Sequence, residues 1–64
     1  MAIHRTAVVE PGAELDPSCE IGPFAVIGPH VRIGPRTVVG AHAVVSGRTS
    51  LGEGNRVFPH AVVG

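Results

Sequence analysis

The chain has 64 residues, room for one small domain at most. Apolar residues make up 44% of it, too many for a disordered tail, yet Trp and Tyr are absent and only Phe24 and Phe58 are aromatic, so the apolar mass is slim Val, Ile, Leu and Ala. Five Arg balance five acidic residues, which argues against a strong electrostatic grip on DNA, RNA or anionic lipid.

Cys19 is alone, so no internal disulfide forms and a reducing compartment is the default. No apolar run approaches the roughly 20 residues of a membrane-spanning helix. The start, "MAIHRTAVVEPG", lacks the apolar core of a secretory signal. These features describe a soluble cytoplasmic protein.

In chain order the sequence divides into units of six. Each opens on an aliphatic residue: Ile3, Val9, Leu15, Ile21, Ile27, Ile33, Val39, Val45, Leu51, Val57 and Val63, with no slip from end to end. The next position holds six of the nine glycines, Gly22, Gly28, Gly34, Gly40, Gly52 and Gly64. The one after holds every proline: Pro11, Pro17, Pro23, Pro29, Pro35 and Pro59. Four places after the aliphatic the residue is small or β-branched, as at Ala7, Cys19, Val31, Thr37 and Ala61, with Asn55 the exception.

A period of six is not helical, because helix faces recur at i+3, i+4 and i+7 and an interior proline costs about 3 kcal/mol. Six is a multiple of the strand period, so aliphatics at this spacing face one way along extended chain. Glycine and proline come too often for one long strand. The pattern therefore predicts a short extended stretch and then a corner, repeated, with glycine supplying the unusual corner dihedrals and proline fixing φ. The aliphatics point to the axis, and the small column suits places where the chain runs close to a neighbour. Such hexapeptide repeats are the mark of a parallel β-helix, although periodicity alone gives neither the number of sides nor the hand.

The hexad of aliphatic, Gly, two variable residues, a small residue and one more resembles that of the bacterial hexapeptide-repeat transferases. "IHRTAVVEPGA", "IGPFAVIGPHVRIG" and "GEGNRVFPHAVVG" narrow the resemblance to the N-terminus of the acyl-[acyl-carrier-protein]–UDP-N-acetylglucosamine O-acyltransferase family, over the whole chain. The resemblance implies an all-β, left-handed, three-sided parallel β-helix with three hexads to a coil, here about three and a half triangular coils. It implies a cytoplasmic homotrimer that moves a 3-hydroxyacyl chain from acyl carrier protein to the 3-hydroxyl of UDP-N-acetylglucosamine, the first step of lipid A synthesis. It implies a histidine general base in a cleft between subunits, with no metal or organic cofactor.

Members of that family are much longer, and their catalytic histidine and substrate-holding residues lie in later coils and a C-terminal helical part. No histidine of this chain occupies the catalytic motif, so no catalytic, cofactor-binding or metal residue is assigned. Residues 1–64 read as one β-helix segment, the N-terminal part of a longer domain, inactive on its own.

Two other classes stay open. One is a free-standing solenoid that trimerises and needs no active site. The other is a hexapeptide metalloenzyme of the gamma-carbonic-anhydrase type. His30, His42 and His60 all lie three places after the aliphatic, and on an eighteen-residue coil His42 and His60 stack about 5 Å apart, a pair that could share a metal. The competing reading is an outward corner column of polar residues that also holds Arg36 and Arg48. No third ligand stands at sensible spacing. His4, in the first hexad, reads as a cap. Cys19, in the small column, reads as a packed thiol rather than a nucleophile. "GPHVRIGPR" is no phosphate loop, since G-x-x-x-x-G-K-[S/T] is absent and Arg5, Arg32, Arg36, Arg48 and Arg56 are scattered over several columns. Thr6, Thr37 and Thr49 do not make the flat threonine ladder of an ice-binding surface. Last coils present unpaired strand edges, so association is expected in preference to a robust monomer.

Overall fold

The computed structural model describes residues 2–64, which form eleven two-residue strands, β1 to β11, and no helix. They stack as three parallel sheets. One holds β1 (Ala2–Ile3), β4 (Glu20–Ile21), β7 (Val38–Val39) and β10 (Arg56–Val57). The second holds β2 (Val8–Val9), β5 (Val26–Ile27), β8 (Val44–Val45) and β11 (Val62–Val63). The third holds β3 (Glu14–Leu15), β6 (Arg32–Ile33) and β9 (Ser50–Leu51).

The register settles what the period of six left open. Ile3 pairs with Ile21, Ile21 with Val39 and Val39 with Val57, so three hexads complete one coil and the cross-section is a triangle. The architecture is the expected left-handed parallel β-helix of about three and a half coils. No helix among the described residues is long and apolar enough to cross a membrane.

Each side of the triangle is an extended stretch whose side chains alternate. Ala25 and Ile27 point inward and are fully buried, while Val26 between them faces out. The axis is therefore lined by two columns: the aliphatics Ile21, Ile27, Ile33, Val39, Val45 and Val57, and the small residues Cys19, Ala25, Val31, Thr37 and Ala43. Thr37 is the one buried polar side chain among the described residues, and its hydroxyl donates to the Gly52 carbonyl at 2.6 Å.

Two expectations need correction. The aliphatic column is not uniformly buried: Val9, Leu15, Leu51 and Val63 are half-buried and Ile3 is 39% exposed. The first and last coils each have a neighbour on one side only, so their inward side chains are covered on one side only.

The second correction concerns the glycines. Of the column after the aliphatic only the last member, Gly64, has positive φ. Positive φ falls chiefly two places later, at Gly12, Phe24, Arg36, His42, Gly54 and His60, and once between the two columns, at Gly47. Each corner is a four-residue turn, closed in several cases by a bond such as Ala25 N–H to the Gly22 carbonyl or Ala61 N–H to the Phe58 carbonyl. Proline at the second turn position and positive φ at the third is the combination of type II turns. Glycine is needed after the aliphatic for a different reason, close approach of coils. A Cβ on Gly34 would lie 2.7 Å from the backbone of Gly52, and one on Gly40 would lie 2.8 Å from the Pro59 nitrogen.

Candidate functional site

Corners are where this fold displays side chains. The corner between the β1–β4–β7–β10 sheet and the β2–β5–β8–β11 sheet carries Thr6, Phe24, His42 and His60, one on each successive coil. The Phe24 and His42 rings stack with centroids 5.1 Å apart, and His42 stacks on His60 at the same separation, within 7° of parallel. Positive φ at all three residues holds the rings in line. The expected pairing of His42 with His60 is present. Phe24 is the member that sequence reasoning passed over, although the eighteen-residue step that joins the two histidines leads straight to it.

The base of this ladder is polar. The Phe24 N–H donates to the Thr6 hydroxyl at 3.1 Å, Thr6 Oγ1 lies 2.8 Å from His4 Nδ1, and the Thr6 N–H points at the same nitrogen. His4 is thus a cap on the first turn, as expected. His30 stands apart on the next corner, exposed.

Two open grooves lie on other sides. One of about 420 Å³ runs where Gly22 and Gly40 leave no side chain, against Val38 and Pro23, with Glu20 as its carboxylate and His4 at one end. The other, about 380 Å³, is polar and crossed by Glu14, Arg32 and Ser50. Arg32 pairs with Glu14 on the coil below, 3.4 Å away, and Arg36 pairs with Glu53. Both pairs are exposed and are worth little to stability. Two of the arginines that look scattered in the sequence, Arg32 and Arg36, thus find partners one coil away.

Cys19 is fully buried in the axis, and burial pushes its thiol pKa above the usual value. Its full burial fits the packed thiol that the small column led one to expect. Asp16 is held below the ordinary carboxylate range, first by the Ser18 hydroxyl and then by the Ser18 N–H, which donate at 2.6 and 2.9 Å. The Ser18 hydroxyl in turn accepts from the Arg36 N–H, so this network ties one corner to the next coil. Among the described residues no three His, Cys, Asp or Glu side chains gather to hold a metal. The arrangement displays surfaces and ladders.

Residues 12–47, more than half of the chain, match the family model described as bacterial transferase hexapeptide (six repeats). The whole chain is 88% identical to an acyl-[acyl-carrier-protein]–UDP-N-acetylglucosamine O-acyltransferase of Anaeromyxobacter sp. (strain Fw109-5), and spans 25% of that protein's length. With the unbroken hexad, the eighteen-residue register and the two inward columns, these matches show that the chain belongs to the bacterial hexapeptide-repeat transferase family.

Proposed function

We propose that the chain is the N-terminal β-helix of an acyltransferase that moves a 3-hydroxyacyl group from acyl carrier protein to UDP-N-acetylglucosamine, the first step of lipid A synthesis. The observation that carries this reading is identity of 88% over all 64 residues to a protein of that name. The segment forms the first coils of a longer domain and contributes no catalytic residue of its own. Its role is to nucleate the solenoid that presents later coils, and to help hold a homotrimer together in the cytoplasm.

The test is an acyl-transfer assay with 3-hydroxyacyl carrier protein and UDP-N-acetylglucosamine. A longer protein that begins with this segment is expected to turn over, and the 64-residue chain alone is expected to give none. No turnover by the longer protein with any 3-hydroxyacyl length would sink the reading.

A further inference from the structure

We infer that the first coil is a latched flap: the hydroxyls of Thr6 and Ser18 hold it to the second coil at two corners, and it opens as a unit to uncover Cys19. The inference stands apart from the acyl-transfer reading. The two corners are built alike. At one, the Thr6 N–H donates to His4 Nδ1 at 3.2 Å, and Thr6 Oγ1 lies 2.8 Å from the same nitrogen. At the other, the N–H and the hydroxyl of Ser18 donate to one oxygen of Asp16, at 2.9 and 2.6 Å. In each case a side chain holds the hydroxyl two residues on. That hydroxyl then accepts an N–H from the next coil, from Phe24 at 3.1 Å and from Arg36 at 2.9 Å.

Later coils use backbone at the same places. The N–H groups of His42, Gly54 and His60 donate to the carbonyls of Pro23, Pro35 and Ala41, at 2.8 to 3.0 Å. The residues that follow those carbonyls, Phe24, Arg36 and His42, all have positive φ. That is the type II arrangement, in which the middle peptide of the turn is flipped relative to type I. Neither Thr6 nor Ser18 has positive φ, so the carbonyls of Arg5 and Pro17 are not flipped in this way and a hydroxyl does their work. The attachment of the first coil thus depends on two exposed side chains. Its cover is thin as well. Ile3 is exposed and Val9 and Leu15 are half-buried, whereas Ile21, Ile27 and Ile33 of the second coil are buried. A segment with few buried apolar contacts opens at a lower free energy than the whole fold. Cys19 starts the second coil, and its carbonyl accepts from the Ala2 N–H at 3.1 Å. Its side chain is fully buried, with the third coil on one side of it and the first coil on the other.

The sole cysteine is its own probe. Labelling of Cys19 by a maleimide is followed in the folded 64-residue chain over a range of low urea concentrations. The wild-type rate is expected to rise with urea much less steeply than unfolding followed by circular dichroism, because lifting one coil exposes little surface. Thr6→Val and Ser18→Ala are each expected to label roughly two- to tenfold faster, the worth of one lost hydrogen bond. Thr6→Ser keeps the hydroxyl and should stay near the wild-type rate. Thr49→Val removes a 2.7 Å hydroxyl bond to the Ser46 carbonyl within the third coil, and should leave labelling unchanged. A wild-type rate as steep in urea as unfolding, or no labelling of the folded chain, overturns the inference. So does equal acceleration by Thr49→Val, since Cys19 would then be reached only when the whole chain opens. Unchanged labelling in both Thr6→Val and Ser18→Ala overturns the latch. The wild-type urea dependence needs no variant, so it decides the matter even where a substituted chain does not fold.

Discussion

The imidazoles of His42 and His60 lie one coil apart with ring planes within 7° of parallel and centroids 5.1 Å apart. Stacking is the opposite of chelation. The lone pair of an imidazole nitrogen lies in the ring plane, and two parallel planes at this separation do not converge on one point roughly 2.0–2.1 Å from both nitrogens. Phe24 covers the far face of His42, so the middle ring is packed on both faces. Zinc added to the chain is therefore expected to leave the two ring resonances without a joint, stoichiometric shift in NMR. A tight one-to-one shift of both rings would restore the metalloenzyme reading.

Close approach of coils gives a sharper test of the glycine column. Gly34→Ala puts a methyl carbon 2.7 Å from the carbon and oxygen of Gly52, which are backbone atoms of the next coil and cannot swing away. The coils must part locally, at a cost of about 1–3 kcal/mol. Gly40→Ala meets the Pro59 nitrogen at 2.8 Å and should behave alike. Gly52→Ala meets nothing nearer than the Asn55 side-chain nitrogen at 3.7 Å. It should be neutral or slightly stabilising, since alanine reduces the freedom of the unfolded chain. In thermal melts the first two should fall by about 4–8 °C per kcal/mol and the third should not. Equal losses at all three would mean that glycine serves the corner dihedrals after all.

The same contrast marks what the sequence could and could not reveal. Periodicity alone identified the inward aliphatics, since Ile21, Ile27 and Ile33 need only face one way every six residues. It could not assign the glycines correctly, because Gly22 and Gly34 are restricted by atoms eighteen residues ahead, and that spacing becomes meaningful only once a coil is known to have three sides. Phe24 was missed for the same reason: its partner His42 is a neighbour across coils and not along the chain. Ile3 and Val63 keep the sequence pattern of the core yet lack its burial, because the repeat carries no information about which coil lies at an end.

Burial rises from the ends to the middle coils, and stability effects should follow. Ile27 is fully buried, with coils above and below it. Ile27→Ala should cost about 2–5 kcal/mol, near the high end because flanking coils cannot collapse into the gap without breaking register. Ile3→Ala, at a position 39% exposed on the first coil, should cost well under half as much. Urea unfolding of the two variants compares them directly. Equal losses would show that the first coil is covered in solution by something else, and the stacked end of a second copy would be the first suspect.

Asp16 supplies the pH dependence. Its carboxylate accepts from the Ser18 hydroxyl, the larger influence, and from the Ser18 N–H, so its pKa in the folded chain lies below the ordinary 3.8. A lowered carboxyl pKa means that the fold favours the charged form. The resulting stabilisation is in force above the unfolded value and is lost as pH falls through the folded value. Ser18→Ala removes the hydroxyl and leaves the N–H, so the Asp16 midpoint in a carboxyl NMR titration should rise toward 3.8 without passing it. The acid limb of the stability curve should shallow in the same variant. An Asp16 midpoint unmoved by Ser18→Ala would show that the backbone donor alone holds the carboxylate, and that the hydroxyl serves only to accept from the Arg36 N–H on the coil above.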